Sequence, residues 1–182
     1  MTPVLVAVVV GVAAGFAAGG RLPPARRVRL RSWGLLVAGV GIEVVSHRLL
    51  AVLLAYALLA AFAARNLNRA GMGIVLVGIA LNATPMLLDG GMPVEGHAIV
   101  SAGIAAPGDI PVLSFDGKRH LARGGDHLRA LDDTIPEWWS HEVVSFGDLV
   151  IAVGVAAIVA GLLRQPTSVS HRSKAVAEAA GA

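Results

Sequence analysis

The sequence has no cysteine and one tyrosine, and only 4% of its residues are aromatic. Without cysteine there is no disulfide, no thiolate metal site and no thiol nucleophile. Charge is also scarce. Asp, Glu, Lys and Arg make up 15% of the 182 residues, where soluble domains carry about 25%. Four of the six histidines, His97, His120, His127 and His141, fall in one acidic stretch. None has H-x-x-x-H or H-E-x-x-H spacing. No metal, no cofactor and no nucleic-acid partner is expected.

Apolar residues are abundant. They form 55% of the chain, the mean hydropathy is +0.72, and the excess is clustered, as membrane spans require. Two lysines against thirteen arginines, with much Ala, Gly and Val, point to a GC-rich bacterial genome. The reading is an all-α multi-pass membrane protein with about five transmembrane helices.

The first span covers about 3–20. Only Met1 and Thr2 precede its proline, so the basic n-region of a signal peptide is missing and the span reads as retained. Five arginines follow, Arg21, Arg26, Arg27, Arg29 and Arg31. By the positive-inside rule they mark a cytoplasmic loop, and they could hold anionic lipid headgroups. Residues 33–64 fit either a hairpin of two short spans, about 33–46 and 49–64, or one long helix. Charge favours the hairpin, because it keeps Arg65, Arg69 and Arg164 on the arginine side. A fourth span covers about 72–88 and contains Pro85, which is expected to kink it. The fifth covers 146–163. The tail, 164–182, reads as disordered and cytoplasmic. This puts the protein in a bacterial plasma membrane with its N-terminus outside.

Residues 89–145 form one extracytoplasmic segment with nine acids against four bases. Within it, 112–121 reads as a small hairpin around the turn Asp116-Gly117, and 126–133 as a short amphipathic helix.

Several residues stand out. Ser145 and Asp148 form a capping box before the last apolar run. Gly147, Gly154 and Gly161 recur every seven residues, and Gly11, Gly15 and Gly19 every four. Both patterns mark faces where helix backbones can approach closely. Asn82, Glu43 and His47 are polar within apolar runs. Asn82 is expected to hydrogen-bond a neighbouring helix, and Glu43 with His47 to pair at i,i+4.

The stretches A-L-N-A-T-P-M-L-L-D-G-G-M-P-V at 80–94, D-D-T-I-P at 132–136 and S-F-G-D-L-V-I-A-V-G at 145–154 resemble the bacterial membrane proteins grouped as domain of unknown function 5317. That pattern has an asparagine-bearing helix ending in N-G-G-x-M-P, an L-x-D-x-I-P element and a final S-x-G-D helix. Asp89 stands here in place of its second asparagine. The resemblance implies a multi-pass architecture and no known activity. The last helix is also similar, more weakly, to that of lipoprotein signal peptidase. That likeness would make Asp148 and Asp89 a catalytic carboxylate pair, but the G-N-x-x-D-R element is missing.

The expected function is therefore non-enzymatic: helix packing, a homo-oligomer or a membrane protein partner, under an acidic outer lid. The alternative is a membrane-interface enzyme or lipid-handling protein using Asp148 with Asp89 or Glu43.

Overall fold

The computed structural model describes residues 2–22, 30–115 and 117–164. Arg26, Arg27 and Arg29 of the arginine loop, Asp116 of the expected turn, and the tail beyond Arg164 lie outside the described residues.

Four apolar runs form helices: α1 Thr2–Ala17, α2 Trp33–Val45, α3 Leu49–Arg65 and α4 Met72–Asp89. A sheet-bearing segment follows, with β1 Met92–Val94, α5 Gly96–Ser101, β2 Arg119–Leu121, β3 Asp133–Glu137 and β4 Glu142–Ser145, and the chain closes with α6 Phe146–Leu163. Short 3-10 turns occupy Pro107–Val112 and Arg129–Leu131.

The fold is thus mixed α and β, which corrects the all-α, five-span expectation. Two helices, α4 and α6, are long and apolar enough to cross a membrane, with hydropathies of 1.7 and 2.4 over 18 residues. At 1.5 Å per residue each spans about 27 Å, close to the roughly 30 Å hydrocarbon core. At 16, 13 and 17 residues, α1, α2 and α3 fall short. Hydropathy counted apolar runs but not the length of helix each would form. The two long apolar helices suggest membrane association.

The chain turns at 46–48, where Ser46 is extended at φ −103 and ψ 134, so residues 33–64 form two helices and not one. Pro85 sits inside an unbroken α4.

Small residues bring the helices together. A Cβ added at Gly11 would lie 2.6 Å from the Ala156 carbonyl oxygen and 2.8 Å from Val159 Cβ, and one at Gly15 would meet Leu163. Rising residue numbers meet rising numbers, so α1 runs parallel to α6. Gly78 faces Ile151 and the Gly147 carbonyl, whereas Gly71 faces Gly154 and Ile158, so α4 and α6 are antiparallel. Gly39 meets Leu59 and Ala55, which closes α2 on α3.

The sheet corrects the expectations for residues 89–145. Its order is β2-β1-β3-β4, with β1 parallel to both β2 and β3, and β3 antiparallel to β4. The 112–121 hairpin does not form. Residues 119–121 pair with 92–94 instead, and Val112 ends a 3-10 turn. The 126–133 helix is reduced to the Arg129–Leu131 turn, and Asp133 begins a strand. Local pattern cannot anticipate a parallel partner nearly thirty residues away. Pro93 sits in the inner strand at little cost. Met92 N–H and Val94 C=O bond toward β2, Glu95 N–H bonds toward Asp133, and β1 meets β3 only at Val94. The missing Pro93 N–H therefore faces a place where no ladder exists. Val94, Ala98, Ile99, Ala102 and Val143 form the core of this cap.

Candidate functional site

α6 starts where β4 ends. Ser145 Oγ accepts from Asp148 N–H at 3.1 Å, and Ser145 N–H donates to Asp148 Oδ2 at 3.1 Å, so the capping box is present. From α4, Asn82 reaches both residues: its amide nitrogen donates to Asp148 Oδ1 at 2.8 Å, and Ser145 Oγ donates to its carbonyl oxygen at 2.8 Å. Asn82 and Ser145 are fully buried. The amide fits because Gly147 leaves it room: a Cβ there would collide with the Asn82 side-chain oxygen. Tyr56 of α3 is also within hydrogen-bond reach of Asn82. Three helices and the sheet meet at this joint.

The other sequence candidates lie elsewhere. Glu43 is paired with Lys118 of the cap at 3.2 Å. His47 lies past the end of α2, and its carbonyl sits beside Gly117. Asp89, at the end of α4, accepts from the His127 backbone N–H at 3.0 Å and faces its ring nitrogen at 2.7 Å. None of Asp148, Asp89 and Glu43 is hydrogen-bonded to another among the described residues. Gly11, Gly15, Gly147 and Gly154 lie against neighbouring helices of the same chain. An added Cβ would meet only Ala70, at 3.5 Å, at Gly161 and nothing at Gly19. Arg31 is bonded through its backbone to Asn66.

Sequence reasoning missed the buried polar groups of the cap. Asp132 and Asp133 are 0% and 1% exposed. Burial pushes the Asp133 carboxyl up to about 7, although Arg119 lies 2.9 Å away, off the angle of a hydrogen bond. Burial, then the nearby Asp126, Glu95 and Asp89, pushes Asp132 up to about 6. His120 has both ring nitrogens buried without a hydrogen bond, 3.7 Å from Asp126. The D-D pair opening D-D-T-I-P was visible as a motif, but its burial was not, because adjacent aspartates usually lie in solvent. Asn66 was missed too. It is 1% exposed and ties the entry to α2 to the end of α3 through the Arg31 N–H and C=O, each at 2.9 Å.

No three His, Asp or Glu side chains meet at a metal-sized point among the described residues. Asp148 has one oxygen given to Asn82 and the other to its own helix cap. A carboxylate held in this way suits a structural joint better than proton transfer. No curated protein and no solved structure matches the chain. The sequence model of a family of unknown function, DUF5317, matches residues 31–160, and the chain belongs to that family.

Proposed function

We propose that this is an integral membrane protein that works by binding and not by catalysis, with a helical base in the bilayer carrying the 90–145 cap on one side. The observation that supports this reading is the state of Asp148, the best-placed catalytic candidate, whose two oxygens are spent joining α4, α6 and the cap. In this reading α4 and α6 cross the bilayer in opposite directions. Arg65, Arg69 and Arg164 lie at the end away from the cap, so the positive-inside rule makes that end cytoplasmic. The outer faces of α1, α2 and α3 carry exposed apolar side chains such as Leu5, Val9, Val45 and Leu50, a surface suited to lipid or to a membrane partner. Because Gly11, Gly15, Gly147 and Gly154 already pack within the chain, a partner would bind these outer faces and not the glycine faces.

The absence of cysteine makes the topology directly testable. Asp109→Cys should label from outside intact cells with a membrane-impermeant maleimide, and Arg164→Cys only after permeabilisation. Labelling of both from one side, or release of the protein by alkaline carbonate, would overturn the membrane reading. Asp148→Asn should restore whatever phenotype a gene deletion produces. A folded, inserted variant that fails to do so would favour the enzyme reading.

A further inference from the structure

We infer that the helical base holds the phosphate of an anionic phospholipid, in a cavity between the start of α2 and the end of α3. This rests on the membrane reading of the helices. The cavity is open, has a volume of about 550 Å³ and is lined by Arg31, Ser32, Ala64 and Arg65. The α2–α3 hairpin brings the two arginines together, since Arg31 stands just before α2 and Arg65 ends α3. Asn66, 1% exposed, bonds the Arg31 N–H and C=O, each at 2.9 Å. Arg65 Nη1 donates to Ser32 Oγ at 2.9 Å. Arg31 is thus fixed through its backbone and Arg65 through its side chain.

The lining fits an anion. It carries two permanent positive charges and no carboxylate. Every described Asp and Glu belongs to the 89–145 segment or, as Glu43 and Asp148, is bonded at the cap end. Among the described residues, no acid is therefore at hand to neutralise the pair. A guanidinium has five N–H donors, and Arg65 spends one of them on Ser32. The rest of its fork, with that of Arg31, matches the oxygens of a phosphate. The Ser32 hydroxyl accepts from Arg65 and keeps its own hydrogen for a further oxygen.

The neighbouring surface selects a lipid over free phosphate. Trp33 directly follows Ser32 and is exposed, as are Val37, Val40 and Val44. Spacings of four, three and four put these residues on one stripe of α2. An apolar track therefore leads from the cavity toward the cap end. Gly39, which packs on Leu59 and Ala55 of α3, lies on a different face. An indole at headgroup level above a valine track suits a lipid headgroup with its acyl chain alongside. The cavity also lies at the end that holds Arg69 and Arg164, where the anionic lipids of the cytoplasmic leaflet would meet it.

The test uses the full chain in dodecyl maltoside micelles at constant ionic strength. Thermal unfolding is followed by circular dichroism while phosphatidylglycerol, phosphatidylcholine or inorganic phosphate is added. Phosphatidylglycerol should raise Tm saturably, and the other two should not. Arg65→Gln should raise the half-saturating lipid fraction about tenfold, because a charge-assisted fork is lost. Arg31→Gln is the second variant should the first fail to fold, and should weaken the response several-fold. Arg164→Gln removes the same charge outside the cavity and should leave the response unchanged. A flat phosphatidylglycerol titration would overturn the proposal, as would an equal response to phosphatidylcholine or to inorganic phosphate, or equal losses in all three variants. Alkaline carbonate tests the membrane reading separately, so a protein that resists carbonate but ignores phosphatidylglycerol sinks this inference alone.

Discussion

Gly147, Gly154 and Gly161 share one stripe of α6, yet adding a methyl group should affect them very differently. At Gly147 the new Cβ would collide with the Asn82 side-chain oxygen and come within 3.0 Å of the Gly78 carbonyl. Asn82 must then move, and Ser145 Oγ and Asp148 Oδ1 lose a buried partner. Leaving such groups unpaired costs about 1–3 kcal/mol, and overpacking adds a similar amount. The better helix propensity of alanine returns up to about 1 kcal/mol. The net for Gly147→Ala is about 2–4 kcal/mol of destabilisation. At about 2–4 °C per kcal/mol for a chain of this size, Tm should fall by roughly 5–15 °C. At Gly161 the same Cβ makes an ordinary 3.5 Å contact with Ala70, so Gly161→Ala should be neutral or slightly stabilising. Thermal unfolding in nanodiscs, read by circular dichroism, measures both. Equal losses at the two positions would refute the joint as described, because the stripe would then act through helix propensity or lipid packing and not through Asn82.

Three further outcomes are expected. Asn82→Leu removes the bridge between α4 and α6 and should cost about 2–4 kcal/mol, read as a lower denaturation midpoint; an unchanged midpoint would show that the capping box alone holds Asp148. Asn66→Ala should cost about 2 kcal/mol and speed amide exchange at residues 30–36, whereas protection equal to wild type would remove Asn66 as the clamp. Asp133 binds a proton in the folded state up to about 7, but in the unfolded chain only to about 4. Between those values the folded state holds more protons, so this group's contribution to stability falls as pH rises, by up to about 1.4 kcal/mol per pH unit, and is lost above about 7. The wild-type minus Asp133→Asn difference in unfolding free energy, measured at pH 5 and pH 8, should show that fall, and a rise would refute it.

The helices were legible because their signals are local. Apolar run length and the Ser145–Asp148 spacing each act within one element. The pattern of 33–64 fitted two helices or one, and the α2–α3 break was favoured only by charge, which keeps Arg65, Arg69 and Arg164 on the arginine side. The sheet was not legible. One of its two inner strands is the three-residue Met92-Pro93-Val94, with a proline that argues against a strand, and its partners lie 27 and 39 residues away. A pattern read in short windows found a hairpin around Asp116-Gly117 and a helix over 126–133, both reasonable on local chemistry.

By itself the sequence determined which segments are apolar helices, that the polar middle is acidic, and that no thiol chemistry exists. These follow from composition and from spacing along a single element. Only the tertiary structure decided what the polar residues do. It spent Asp148 on its own cap and on Asn82, moved Glu43 onto Lys118 and Asp89 onto His127, and buried Asp132 near Asp126, Glu95 and Asp89. Burial and pairing are set by which distant segments share space, and the chain has to close before any side chain acquires its surroundings.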